Sequence, residues 1–176
     1  VIWGYDLLNE PQTNKSPELL AAYRYIRNAI RSVDTNHTLV VEGDNWGSYM
    51  DMFKGVPAID GNVVLETHHH VFGNTESINQ LYGRADLANS LNVPIILGEF
   101  GEEENSILRQ MADIGKARYN GTFSWMFKKM YKDRTLWTIS PNSARSKSEA
   151  AYNSLVNAIN TNTTISASTY NDLLTF

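Results

Sequence analysis

The sequence predicts an α/β fold built on a parallel sheet. Short apolar runs alternate with stretches of helical periodicity about five times along the 176 residues. The apolar runs are continuous, as in strands buried on both faces. Polar and acidic residues gather directly after these runs, and a parallel sheet brings all such strand ends to one face.

Val1 to Leu8 (VIWGYDLL) reads as the first strand and stops at Asn9-Glu10-Pro11. Ser16 offers a helix N-cap with Pro17 at the first helical position. Leu19, Leu20, Tyr23, Ile26 and Ile30 then recur at helical spacing as far as Arg31. Thr38 to Val41 is the second strand, halted by Gly43-Asp44-Asn45, and a short amphipathic stretch runs from Trp46 to Phe53. Asn62 to Leu65 starts a third strand leading into Thr67-His68-His69-His70, followed by a helix from Ser77 to Leu91. Val93 to Leu97 is the fourth strand, with Pro94 tolerable at its beginning; it runs into Gly98-Glu99-Phe100-Gly101. Asn105 to Arg118 places Ile107, Leu108, Met111 and Ile114 on one helical face, and Gly121 to Met126 is the fifth strand. Ser146 with Glu149 forms a capping box for a last helix ending near Asn160. Residues 161–176 read as a polar C-terminal tail beyond a domain spanning 1–160.

Composition narrows the function. Hydrophobic residues at 42% and charged residues at 19% describe a globular chain. A net charge of −4 and the lack of a Lys/Arg block argue against nucleic acid or an anionic membrane as partner. No apolar run reaches the length of a membrane span. The absence of cysteine excludes disulfides and thiolate metal sites.

The candidate chemistry lies at the strand ends. Asn9 and Glu10 follow the first strand, Asp44 and Trp46 the second, His68 to His70 the third and Glu99 the fourth; Trp125 ends the fifth. Either Glu alone is explained as well by loop hydrogen bonding. Both together, each among turn residues at a strand end, make a pair of facing carboxylates, the working parts of glycoside hydrolysis. Alternate strand residues face opposite sides, so only His68 and His70 of the triple histidine share a face; they are assigned to the site without a metal. Trp46 is either a sugar-stacking platform or loop packing, and Trp137 is a weaker candidate of the same kind. Glu102-Glu103-Glu104 suits a helix N-terminus. Lys128, Lys129, Lys132 and Arg134 read as a solvated loop face.

On these motifs the chain resembles glycoside hydrolase family 5, of the clan of retaining barrel glycosidases. WGYDLLNEP (Trp3 to Pro11), VVEGDNWG (Val40 to Gly47), VVLETHHHVF (Val63 to Phe72), ILGEFG (Ile96 to Gly101) and GTFSWMFKK (Gly121 to Lys129) look like that family's barrel strands four to eight, in order. The resemblance implies Glu10 as general acid/base and Glu99 as nucleophile. It implies that Asn9 binds the sugar 2-hydroxyl and that Trp125 floors the sugar at the cleaved position. His68 takes the first place of the family's His-x-Tyr. His70 stands where the Tyr is expected, and Phe72 supplies no hydroxyl in its stead.

A closed (β/α)8 barrel needs about 250 residues. The expectation is therefore a partial TIM barrel, a half-barrel of about five β/α units lacking the first three strands. The expected function is a secreted endoglucanase-like enzyme acting on a β-glucan or its oligosaccharides, with no cofactor. The alternative is a catalytically silent half-barrel that keeps residual carbohydrate binding. The chain starts at Val1 with no signal-peptide pattern, which suggests processing or a piece of something longer. Its outer strands are expected to be covered by a second copy in a homodimer or by a complementing N-terminal half-barrel.

Overall fold

The computed structural model describes residues 2–72, 74–101, 104–125, 128–130 and 137–139, with isolated positions 153, 154, 157 and 161. The chain divides into two compact units, Val1–Trp125 and Met126–Phe176. The first carries β1 (Gly4–Asp6), α1 (Ser16–Arg31), β2 (Thr38–Glu42), the one-turn α2 (Asp44–Gly47), β3 (Val63–His69), α3 (Gln80–Leu91), β4 (Ile95–Phe100), α4 (Asn105–Arg118) and β5 (Gly121–Ser124). Its five strands form one parallel sheet in sequence order. This is a curled segment of a (β/α)8 barrel, five strands long.

Side-chain alternation divides the sheet into two faces. Leu39, Val41, Val63, Leu65, Ile95 and Leu97 pack outward against Leu19 and Tyr23 of α1, Leu81, Ala85 and Ala88 of α3, and Leu108, Met111 and Ile114 of α4. Val40, Val64 and Ile96 form a separate cluster on the opposite, inward face. Continuing by two residues from Val40 and Val64 reaches Glu42 and Glu66, so the apolar floor gives way to carboxylates towards the strand C-termini. The inward trio is buried.

Element ends depart from the sequence pattern for identifiable reasons. β1 is three residues long rather than eight. At Gly4 an added Cβ would lie 2.5 Å from the Thr38 carbonyl oxygen, so only glycine admits this close pairing. The cap of α1 is Lys15 rather than Ser16, without a side-chain capping bond. Thr13 Oγ1 accepts the Lys15 N–H at 3.0 Å and is itself tied to Asp44, which anchors the chain one residue earlier. β3 extends through His69 because those backbones pair with β4. A 3-10 turn (Thr75–Asn79) precedes α3 where a continuous helix was expected.

The described part of the second unit includes a two-stranded parallel ladder, β6 (Lys128–Met130) with β7 (Trp137–Ile139), and the helical positions 153, 154, 157 and 161. Lys128 and Lys129 thus belong to a strand rather than to a loop face. Lys132, Arg134, the capping box at Ser146 and Glu149, and all of the tail but Thr161 lie outside the described residues.

Candidate active site

Strand order brings the predicted residues together. Asn9, Glu10, Trp46, His68, His70, Glu99 and Trp125 all line one cleft of about 800 Å³ at the C-terminal end of the sheet. The cleft is also lined by His69, Gln80 and Arg84. Trp46 and Trp125 are about half exposed at its rim.

Glu10 sits in the turn after β1 with φ +48, a left-handed conformation uncommon for a side-chain-bearing residue. Its amide donates to Glu42 Oε2 at 3.0 Å, and its Oε1 lies 2.9 Å from His68 Nδ1. The adjoining loops are laced together. Asp44 accepts the amide and hydroxyl of Thr13 at 2.8 and 2.6 Å, and the Trp46 amide donates to the Pro11 carbonyl at 3.2 Å.

Glu99 reaches the cleft through a β-bulge. Thr67 pairs with Leu97 and His68 with Glu99, which leaves Gly98 unmatched. Strict alternation from Ile96 would turn Glu99 outward; the extra residue re-aims it to lie opposite His68. Gly98 also gives space to Glu66, since a Cβ there would fall 1.5 Å from Glu66 Oε1. Glu99 Oε2 is 3.8 Å from His68 Nδ1 and 3.5 Å from His70 Nε2. Carboxylate oxygens of Glu10 and Glu99 and a ring nitrogen of His70 all lie within 4.8 Å of one another. His70 Nδ1 is 3.4 Å from the Gly101 carbonyl, and the His70 ring stacks on Phe72.

His68 is the hub. Its Nε2 faces Glu42 Oε1 at 3.5 Å and Glu66 Oε1 at 3.6 Å. Burial alone would lower its pKa. Hydrogen bonding to Glu66 and Glu10 and the charges of Glu42 and Glu99 outweigh that and raise it to about 9. At neutral pH this favours an imidazolium at His68. Burial pushes the Glu42 carboxyl up to about 8, against the lowering influence of His68 and of the Glu10 amide. Asp6, at the end of β1, is raised by burial and by the charge of Glu66. His69 turns away from the hub: Arg84 donates to its Nδ1 at 3.3 Å, and Ser77 Oγ lies 3.3 Å from its Nε2. Burial, with the Arg84 charge, lowers its pKa to about 4.

Glu42, Glu66, Asp6 and Arg84 had not been singled out from the sequence. The available signal was a Glu two residues beyond an inward Val in both β2 and β3. Among the described residues, two groups bring ligand-type atoms together, Glu10/His70/Glu99 and Glu42/Glu66/His68.

Fold and cleft define the class: a barrel segment with paired carboxylates on its strand ends under an aromatic rim. Residues 2–143 match Cellulase (glycosyl hydrolase family 5), and the chain belongs to that family. An endoglucanase of Clostridium saccharobutylicum is 26% identical over 104 residues, 58% of this chain and 22% of that protein. The fold is shared with the cellulose synthase subunit Z of Clostridioides difficile (TM-score 0.56, 21% identity, 69% of this chain and 52% of that one). It is also shared with the catalytic domain of a Thermobifida fusca endoglucanase (TM-score 0.56, 19% identity, 69% and 44%). A mannanase catalytic domain from Streptomyces sp. SirexAA-E is similar too (TM-score 0.58, 18% identity, 76% and 46%). The chain thus spans about a fifth of the length of the curated relative and about half of these solved structures.

Proposed function

We propose that the chain carries the catalytic half of a retaining endoglucanase-like enzyme that cleaves β-glycosidic bonds of a β-glucan. Glu99 attacks the anomeric carbon, while Glu10 protonates the leaving oxygen and then activates water. The observation that carries this reading is the approach of the two carboxylates to within 4.8 Å. A retaining mechanism uses carboxyls about 5 Å apart, and inversion needs a wider gap to admit water. In this reading Asn9 bonds the sugar 2-hydroxyl, His68 and His70 orient the pair, and Trp125 and Trp46 stack on sugar rings. A polymeric glucan is met outside the cell, so we place the enzyme there.

The test is hydrolysis of an aryl β-cellobioside, with product configuration followed by NMR. Glu99→Ala should lower turnover by several orders of magnitude. Azide should partly restore Glu10→Ala on an activated substrate. Activity that survives Glu99→Ala, or an inverted product, overturns the assignment.

A second reading, a silent half-barrel that binds carbohydrate without cleaving it, is favoured by the outer strands. Ile2 and Trp3 beside β1 and Phe123 on β5 are each more than half exposed. Such a surface suits a second copy in a homodimer or a complementing N-terminal half-barrel. Binding of cello-oligosaccharide without turnover would support this reading over the first.

A further inference from the structure

We propose that Glu42 is a positioning residue for Glu10, holding it at both ends: directly at the backbone, and through His68 at the carboxylate. The inference rests on Glu10 being the acid/base of the proposed reaction. Glu42 closes β2 and is fully buried, and it is not among the residues lining the cleft. Its Oε2 accepts the Glu10 N–H at 3.0 Å, which restrains a turn whose φ of +48 needs outside support. Its Oε1 has no hydrogen-bond partner among the described residues and faces His68 Nε2 at 3.5 Å. Across the ring, His68 Nδ1 meets Glu10 Oε1 at 2.9 Å.

The surroundings are shaped for this carboxylate. Tyr23 donates its hydroxyl to the Glu42 carbonyl at 2.9 Å and fixes the strand end. Gly47, at φ +68, passes so close that a Cβ would lie 2.6 Å from Glu42 Oε2 and 3.1 Å from the His68 amide nitrogen. A buried carboxyl with one oxygen lacking a hydrogen bond is costly, and well-packed apolar residues commonly serve stability better. Its retention here is explained by the two groups it orients. The other charged groups facing the His68 ring are Asp6 from β1, Glu66 on β3 and Glu99 on β4. Arg84 of α3 donates to the His68 carbonyl at 2.9 Å.

General acid catalysis gives this role a distinct signature. Phenolate leaves well only when protonated, whereas 2,4-dinitrophenolate leaves unaided. In Glu42→Gln, kcat/KM on phenyl β-cellobioside, which reports the glycosylation step, should fall at least about tenfold. On the dinitrophenyl substrate kcat/KM should change less than about threefold. Nitrogen NMR of the His68 ring provides a readout that needs no turnover. The hydrogen-bonded Nδ1–H signal should be present near neutral pH in the unsubstituted chain and weakened in both Glu42→Gln and Glu42→Leu. Equal losses on the two substrates, no loss on either, or an unchanged His68 spectrum would overturn the proposal. If the unsubstituted chain cleaves neither substrate, the functional reading fails and the ring spectrum alone decides the role of Glu42. Should Glu42→Leu not fold, Glu42→Gln, which keeps an acceptor for the Glu10 amide, carries the test.

Discussion

An indole exposed at a cleft mouth contributes little to the core but offers a flat face to a pyranose ring. Trp125 is 46% exposed, and its amide donates to the Phe100 carbonyl at 2.8 Å, a bond that survives loss of the ring. Trp125→Ala should lower kcat/KM by at least about tenfold and shift Tm by no more than about 3 °C. A large fall in Tm would show that the ring packs rather than binds. His69 makes the opposite kind of prediction, one about stability. Its folded pKa, about 4, lies below the ordinary histidine value of 6.5, so protons favour the unfolded chain. The neutral ring's contribution is fully present above pH 6.5 and is lost as pH falls through 4, on the order of 3 kcal/mol in all. Urea unfolding followed by Trp fluorescence should show this loss between pH 7 and pH 4. In His69→Gln the pH dependence should shrink by about that amount. An unchanged dependence would mean that the acid-sensitive groups lie elsewhere.

Among the elements, β4 decides whether the site assembles. Gly98→Ala would drive a methyl into the Glu66 carboxylate, and relief requires moving either Glu66 or the bulge that aims Glu99. The substitution should cost about 2–4 kcal/mol in chemical denaturation and reduce turnover beyond that loss. A neutral effect on both would show that Glu66 swings aside freely. This bulge also marks where sequence reasoning stops. The apolar runs of β2, β3 and β4 were legible because strands covered on both faces must be apolar throughout. Alternation then predicts Gly98 inward and Glu99 outward, and one unmatched residue reverses it; nothing local in Gly-Glu-Phe-Gly announces that. Glu42 and Glu66 were overlooked because a single Glu at the end of an apolar run reads as the strand's exit into water. Their burial follows from neighbours distant in sequence, Glu10 and His68 for Glu42 and Gly98 for Glu66. The cleft residues themselves were legible, since each lies at or just beyond the C-terminal end of a strand and a parallel sheet gathers those ends on one side.

At the scale of the whole chain, the sheet has two outer edges to account for. Among the described residues, no strand pairs with the outer edge of β1 or of β5. The exposed side chains beside them, Ile2, Trp3 and Phe123, are apolar. Edges of this kind invite pairing. Light scattering at micromolar concentration should therefore give a mass above 19.8 kDa, twice that value for a homodimer. A cooperatively melting particle of 19.8 kDa with no partner would count against any covering subunit.

The lacing of the loop after β1 to the loop after β2 has a consequence for motion. With Thr13 held by Asp44 and the Trp46 amide held by Pro11, neither loop opens alone. The Glu10 turn and the Trp46 rim should therefore open as one body. Amide hydrogens at Thr13 and Trp46 should exchange with deuterium at matched rates, and both should quicken together when Asp44 is replaced by Ala. Under the proposed function, a glucan chain entering the groove meets a wall that yields as a unit, and its entry coincides in time with alignment of Glu10.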